Sequence, residues 1–258
     1  MKIFAKLTYW ICLFVVPSVV NAFPVDSLGV QKKWHFKAEP YLIIPNMSGA
    51  TGLGRLPDVN VDADPGDIFS NLKFGAMLFF EVSNEKWAFN SDVLYMNLSQ
   101  QATPDKNISS GEVSASQFGW ELAGLRRVTP WLELGVGTLL NSVKSELDIT
   151  RVKINGNAEN INKSIKKTWL DPMLIARVAS SPDKKFIYSL QGDIGGFGLG
   201  SDLAWQLQAY AGYRFLKLFQ LTAGYRIISL DYEKGDGDER FLYDMNIYGP
   251  VVRFGFNF

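Results

Sequence analysis

Cysteine is nearly missing from this chain: one residue in 258, Cys12, and it falls in the first, apolar stretch. Whatever follows that stretch can form no disulfide and do no thiol chemistry. A charge excess of one sign is missing as well, with 26 lysines and arginines against 26 aspartates and glutamates. That balance points away from nucleic acid and from any partner recognised by a field of one sign. The apolar run at residues 7–20 is too short, and wrongly flanked, for a membrane-spanning helix. Beyond it, helical periodicity is scarce. These absences leave a single β-rich domain or a barrel.

The amino end has the layout of an export signal. Lys2 and Lys6 make a basic start, residues 7–20 an apolar centre, and V-N-A at 20–22 sets small residues where a signal peptidase cuts. The expectation is a leader over 1–22 and a mature chain over 23–258. Cys12 lies inside the apolar centre and not at a lipoprotein cleavage site, so no lipid anchor is expected. The hydrophobic fraction, 47%, is that of an ordinary soluble protein. A membrane barrel averages to the same figure, because its outward side chains are apolar and its inward ones polar.

Alternation by twos runs through the mature chain. Trp34, Phe36, Ala38 and Leu42 alternate with His35, Lys37, Glu39 and Tyr41; Trp205, Leu207, Ala209, Ala211 and Tyr213 oppose Gln206, Gln208, Tyr210, Gly212 and Arg214. Further strands are expected near 72–82, 87–98, 117–123, 131–140, 169–179, 186–195, 219–230 and 248–258. The links alternate between long polar segments, near 46–70, 99–112, 141–167 and 231–239, and links of roughly four residues or fewer, as in outer-membrane barrels. A soluble sandwich has no reason for that regularity. The fold class expected is all-β, an up-and-down antiparallel transmembrane β-barrel of about ten strands, eight or twelve being the alternatives.

The closing stretch Y-G-P-V-V-R-F-G-F-N-F at 248–258 puts Phe254, Phe256 and Phe258 on one parity and Arg253, Gly255 and Asn257 on the other. It resembles the C-terminal signal of bacterial outer-membrane barrels, which implies recognition by the barrel-assembly machinery during insertion. The stretches W-H-F-K-A-E-P-Y-L (34–42), D-I-F-S-N-L-K-F-G-A-M-L (67–78), G-D-I-G-G-F-G-L-G-S-D-L-A-W-Q (192–206) and A-G-Y-R-F (211–215) resemble a poorly characterised family of outer-membrane proteins of Gram-negative bacteria. The resemblance implies a cell outer-membrane location, with lipid and lipopolysaccharide as neighbours. It implies no reaction.

Collecting the inward parity gives Glu39, Glu81, Asp92, Glu121, Glu133, Asp171 and Asp193 against Lys37, Lys73, Arg177, Arg214, Arg226 and Arg253. In a barrel this narrow such charges pair into a hydrogen-bonded network. Its reading is either a polar core that stabilises the barrel, making this a structural envelope component, or a narrow, porin-like solute path. A membrane-embedded enzyme acting on lipid or peptide is the competing class. The one histidine, His35, sits near the start of the first strand, far from the outer rim where such a site belongs. No catalytic residue, metal or cofactor is therefore assigned. D-A-D-P-G-D at 62–67 has a calcium-loop flavour without the twelve-residue arrangement. The glycines at 192–200 lie in a strand and its exit, where bends explain them better than phosphate binding. The lysines and arginines of 143–167 could touch lipopolysaccharide phosphates, or only be solvated.

Overall fold

The computed structural model describes residues 34–101, 108–152, 158–181 and 184–258. The expected leader lies outside that set. In chain order the elements are β1 (His35–Ile43), β2 (Asn46–Leu53), β3 (Val59–Ala63), α1 (Pro65–Ser70), β4 (Leu72–Ser83), β5 (Trp87–Gln101) and β6 (Ile108–Arg127). There follow β7 (Leu132–Val152), β8 (Ala158–Ala179), β9 (Phe186–Gly196), β10 (Leu203–Arg214), β11 (Phe219–Lys234), a 3-10 turn (Gly237–Glu239) and β12 (Phe241–Asn257).

From β4 to β12 each strand pairs antiparallel with the next, and β1 closes the ring between β12 and β4. The result is a ten-stranded, up-and-down barrel, as the link pattern predicts, with β2 and β3 added at one rim. The ring is joined at its last residue: the Phe36 N–H donates to the Phe258 carbonyl at 3.3 Å, and the Phe258 N–H to the Phe36 carbonyl at 2.8 Å. Closure matters because a strand edge left open in hydrocarbon strands its backbone polar groups.

One end of the barrel carries the start of β1, Phe258 and the short links, and is here termed the turn end; the other is the hairpin end. At the hairpin end the strands run further than the alternation of apolar residues predicts. Most of residues 99–112 and 141–167 extend β5 to β8, and β12 starts at Phe241 rather than near Tyr248. A tilted strand crosses a hydrocarbon layer of about 30 Å in about 9–11 residues, and β7, with 21 residues, is about twice that long. Beyond the apolar belt both faces of a strand meet water, so polar residues on either side break no rule and the ladder continues. The expected loop over 46–70 is a β2–β3 hairpin followed by a six-residue helix.

The outer wall is a belt of exposed apolar side chains, among them Phe89, Val136, Leu174, Leu190, Leu207 and Phe254. The inner face divides along the axis. Towards the turn end it is polar and charged; towards the hairpin end Met173, Leu230, Met245 and Ile247 pack as an apolar core. There Trp169 stacks on Tyr232 with ring centroids 4.1 Å apart, and Phe241 meets Tyr232 edge-on at 6.1 Å.

Candidate functional site: the barrel interior

At the turn end, Arg177 on β8 bridges two carboxylates. Its Nε donates to Glu133 Oε2 at 2.6 Å, and it pairs also with Glu81 across the barrel. Arg127 holds the other oxygen of Glu133 at 2.7 Å. Lys37 stands 3.7 Å from Glu81 and 3.8 Å from Glu39. Glu39 also accepts from the Gln220 amide at 2.6 Å, and Arg214, half-buried, donates to Gln220 at 3.0 Å. Arg253 lies 3.6 Å from Glu39 and bonds Gln208 and the Tyr210 hydroxyl, with its guanidinium 3.9 Å from the Tyr210 ring centroid. Gly224, on the strand beside Tyr210, permits that crowding, since a Cβ there would run into the Tyr210 ring and the Ala209 carbonyl.

The middle layer centres on Arg226. It donates to Asp92 at 2.9 Å, to the Tyr41 hydroxyl at 2.9 Å and to the Gln206 carbonyl oxygen at 2.7 Å. Tyr41 donates in turn to Asp92 at 2.8 Å. Gln206 passes the contact on, its amide donating to Glu121 at 2.5 Å, and the Gln191 amide serves Asp193 at 3.1 Å. Asp92 sits opposite Glu121 on neighbouring strands, and Asp193 opposite Gln206. Three carboxylates thus share a layer with one guanidinium, and Glu121 and Asp193 are held by amides.

The third layer is a knot around Asp171, which is fully buried. Its carboxylate accepts from the Ser201 N–H at 2.5 Å, the Ser201 hydroxyl at 2.9 Å, Trp169 Nε1 at 3.1 Å and the Asn141 amide at 3.3 Å. The β9–β10 turn reaches this position through left-handed backbone at Gly196, Phe197 and Gly198 (φ 86°, 51° and 74°). The glycines at 192–200 therefore shape a turn that folds Ser201 onto Asp171.

Lys37, Glu39, Glu81, Asp92, Glu121, Glu133, Asp171, Arg177, Asp193, Arg226 and Arg253 all face the interior, and Arg214 lies at its turn-end mouth. Lys73, expected among them, does not. The β4–β5 register shifts between Leu72 and Phe74, so Lys73 is the extra residue of a bulge and turns to the outer rim, where it pairs with Glu112 beside Ser99. Of the terminal phenylalanines, Phe254 and Phe258 are exposed and Phe256 meets Phe219 edge-on at 5.3 Å. His35, half-buried, pairs with Ser83 at the turn end. Asp64 and Asp67 are occupied as a reciprocal helix cap: Asp64 Oδ1 accepts from the Asp67 N–H at 2.9 Å, and the Asp64 N–H donates to Asp67 Oδ2 at 3.3 Å. In the 143–167 stretch Lys144 and Lys166 are directly opposite each other, and the side chains of residues 151–161 lie outside the described set.

A charge-only reading misses the uncharged half of the network, namely Tyr41, Asn141, Trp169, Ser201, Gln191, Gln206, Gln208, Tyr210 and Gln220. Parity was the available signal: Tyr41 shares that of Glu39, and Trp169 that of Asp171.

No family model and no curated protein sequence matches the chain. Among solved structures it is similar, at 11% identity and a TM-score of 0.38, to Ail, the attachment invasion locus protein of Yersinia pestis, over 88% of this chain and 100% of that one. It is similar also to the outer membrane protease OmpT from Escherichia coli (9% identity, TM-score 0.38, 90% and 99% of the two chains). A Pseudomonas aeruginosa FadL homologue gives 7% identity and a TM-score of 0.34 over 89% and 90%.

Proposed function

We propose that this chain is an integral outer-membrane β-barrel whose interior is a structural core and not a conduit, so that the protein works through its lipid-facing wall and its hairpin rim. The observation that carries the reading is the filling of the interior. Within the height of the apolar belt, two layers of ion pairs and hydrogen bonds cross from wall to wall, the knot around Asp171 follows them, and an aromatic and aliphatic core closes the hairpin end. A ten-stranded barrel has an interior that side chains nearly fill, whereas diffusion pores use sixteen strands or more. The turn end faces the periplasm and the hairpin end the exterior, the disposition of short turns and long loops usual in such barrels.

At the outer rim the wall changes from apolar to basic in two steps. Leu140 and Leu170 face each other in the belt, Ser142 and Thr168 above them are bonded at 2.9 Å, and Lys144 and Lys166 come next. Like charges directly opposite on neighbouring strands destabilise a sheet unless a counter-ion joins them. Glu146 takes one face of Lys144 at 2.6 Å; lipopolysaccharide phosphates at this height supply the remainder.

Planar-bilayer recording tests the main reading: purified protein, shown to be inserted by a heat-dependent shift in gel migration, is expected to leave the bilayer silent. Discrete conductance steps at ordinary protein density would replace it with the narrow-channel alternative. Against an enzyme acting on lipid or peptide, outer-membrane lipids and surface peptides are expected to have the same mass spectra with and without the protein.

A further inference from the structure

The wall of the barrel is breached between β1 and β4. The β1–β4 ladder runs from His35 opposite Ser83 to Pro40 opposite Leu78 and goes no further, although β4 continues to Leu72. On the other side of the breach the chain stays on β12, through β1 and then β2 in unbroken register. Between Pro40 and the rim, then, β4 has no strand partner on its β1 side among the described residues, and α1 is packed there instead. Ile68 of α1 is 2% exposed. Beneath it is a cavity of about 90 Å³ with Tyr41, Ile43, Leu72, Met77 and Met96 around it.

Strand registers place the breach in the outer half of the lipid belt. The exposed, outward-facing neighbours are Leu42, Ile44, Phe74 and Leu78. On the next strand Ala76 is opposite Tyr95, an aromatic of the kind that marks the boundary of the hydrocarbon, and Phe74 is opposite Asn97, the first polar residue above it. Around the cavity the one side-chain polar atom is the Tyr41 hydroxyl, already committed to Asp92 and Arg226. Beyond the edge backbone of β4 itself, no side-chain hydrogen-bonding capacity is left for a polar ligand, and the surface outside is continuous with the lipid-facing wall.

We propose that this breach receives the end of an acyl chain from an outer-leaflet lipid, lodged between β1 and β4 beneath α1. The assignment rests on the membrane reading above. The space is smaller than the cavity of about 150 Å³ that admits benzene, so it takes the terminal carbons of a flexible chain and not a ring. Pro40 and Pro45 make such a gap possible: neither has an N–H to offer, and prolines are otherwise confined to strand edges.

The test uses the mature protein in phosphatidylcholine vesicles containing a phospholipid with a diazirine at the end of one acyl chain. After irradiation, adducts are mapped by peptide mass spectrometry. Labelling of the peptide spanning residues 68–77 is expected to exceed that of the peptide around Leu207, on the opposite wall, several-fold. Ile68→Trp and, independently, Gly75→Leu should bring it down to the Leu207 level. A Cβ at Gly75 would stand 3.8 Å from the nearest atom, on Leu72, so the second variant fills the space from β4 without displacing the helix. Heat-dependent migration reports that each variant is folded. Equal labelling of the two walls in the unaltered protein, or labelling of 68–77 undiminished by Gly75→Leu, overturns the proposal while leaving the membrane reading intact. Absence of label at Leu207 as well would overturn both.

Discussion

Arg226 and Glu121 occupy one layer of the interior and should respond to substitution in opposite ways. Arg226 satisfies Asp92, Tyr41 and Gln206 together. Replacing it with Met leaves Asp92 buried without a counter-charge, a loss of roughly 3–5 kcal/mol. Glu121 accepts a hydrogen bond from the neutral Gln206 amide, and Glu121→Gln keeps an acceptor there while removing a buried charge. That variant is expected to stay within about 1 kcal/mol of the parent or to gain stability. Urea titration of refolding into lipid vesicles, read by gel migration, ranks the two. A Glu121→Gln loss as large as that of Arg226→Met would show that the charge on Glu121 is structurally required. Beyond the apolar belt, at the hairpin end, Arg240 grips Asp58 at 2.6 and 3.1 Å and Glu233 at 2.5 Å, tying the β2–β3 turn to the ends of β11 and β12. The Arg240 hydrogen bond holds the Asp58 carboxyl below its ordinary range. A depressed carboxylate stabilises the state that holds it at neutral pH and loses that contribution as pH falls through the folded-state value. Protection of residues 53–59 from hydrogen exchange should therefore weaken below about pH 4, and Asp58→Asn should flatten that dependence. An unchanged pH profile in Asp58→Asn would dismiss the clamp.

Among the elements, β12 has the most to do, because it meets β11 along its whole length and both β1 and β2 on its other side. Its outward Phe254 and Phe256 lie at the turn-end margin of the belt, and the Phe258 backbone joins the ring to Phe36. Replacing Phe254, Phe256 and Phe258 with Ser removes aromatic burial in lipid and the terminal recognition feature together. The expected outcome is loss of heat-modifiable protein from the membrane fraction, with periplasmic aggregate or degradation in its place; normal amounts of shifted protein would contradict that role. The strands of the barrel proper were legible in the sequence because an apolar outer wall on one side and a filled, polar interior on the other force alternation by twos. The extensions of β6, β7 and β8 were not, since outside lipid a strand need not alternate. Nor was the apolar part of the interior. Phe241, Tyr243, Met245 and Ile247 share one parity, but polar neighbours such as Asp244 and Asn246 on the other masked it, and the closing strand is expected only from Tyr248. Lys73 was misplaced for a third reason: one inserted residue reverses the facing of everything beyond it, and only the shifted pairing with β5 reveals the bulge.

For the whole molecule, the question is whether the projecting hairpins belong to the same cooperative unit as the barrel. β8 pairs with β9 only from Met173 to Ala179, opposite Gly195 to Ser189, while its outer half is bonded to β7 alone. The free side of that half carries Lys163, Lys166 and Lys167, charges of the kind that discourage a strand edge from pairing with another chain. Ring closure, by contrast, is made within the belt and at the turn end, through β1, β4 and β12. Nothing in the closure passes through the outer hairpin. Ser145 stands opposite Ile165, so a two-residue Asn-Gly turn can replace residues 146–164 without altering the register below. The shortened chain is expected to insert, to shift on heating like the parent, and to unfold within about 1 kcal/mol of it, because the excised segment contributes mainly its own ladder. Failure to insert would place the outer hairpin inside the folding unit. Binding to lipid A separates the rim from the barrel further: the shortened chain retains Lys144 and Lys166, so it should still prefer phosphorylated over dephosphorylated lipid A. Lys144→Ala with Lys166→Ala in the full-length protein should weaken that preference while leaving insertion unchanged. If the double substitution leaves the preference intact, the phosphates are held elsewhere on the rim.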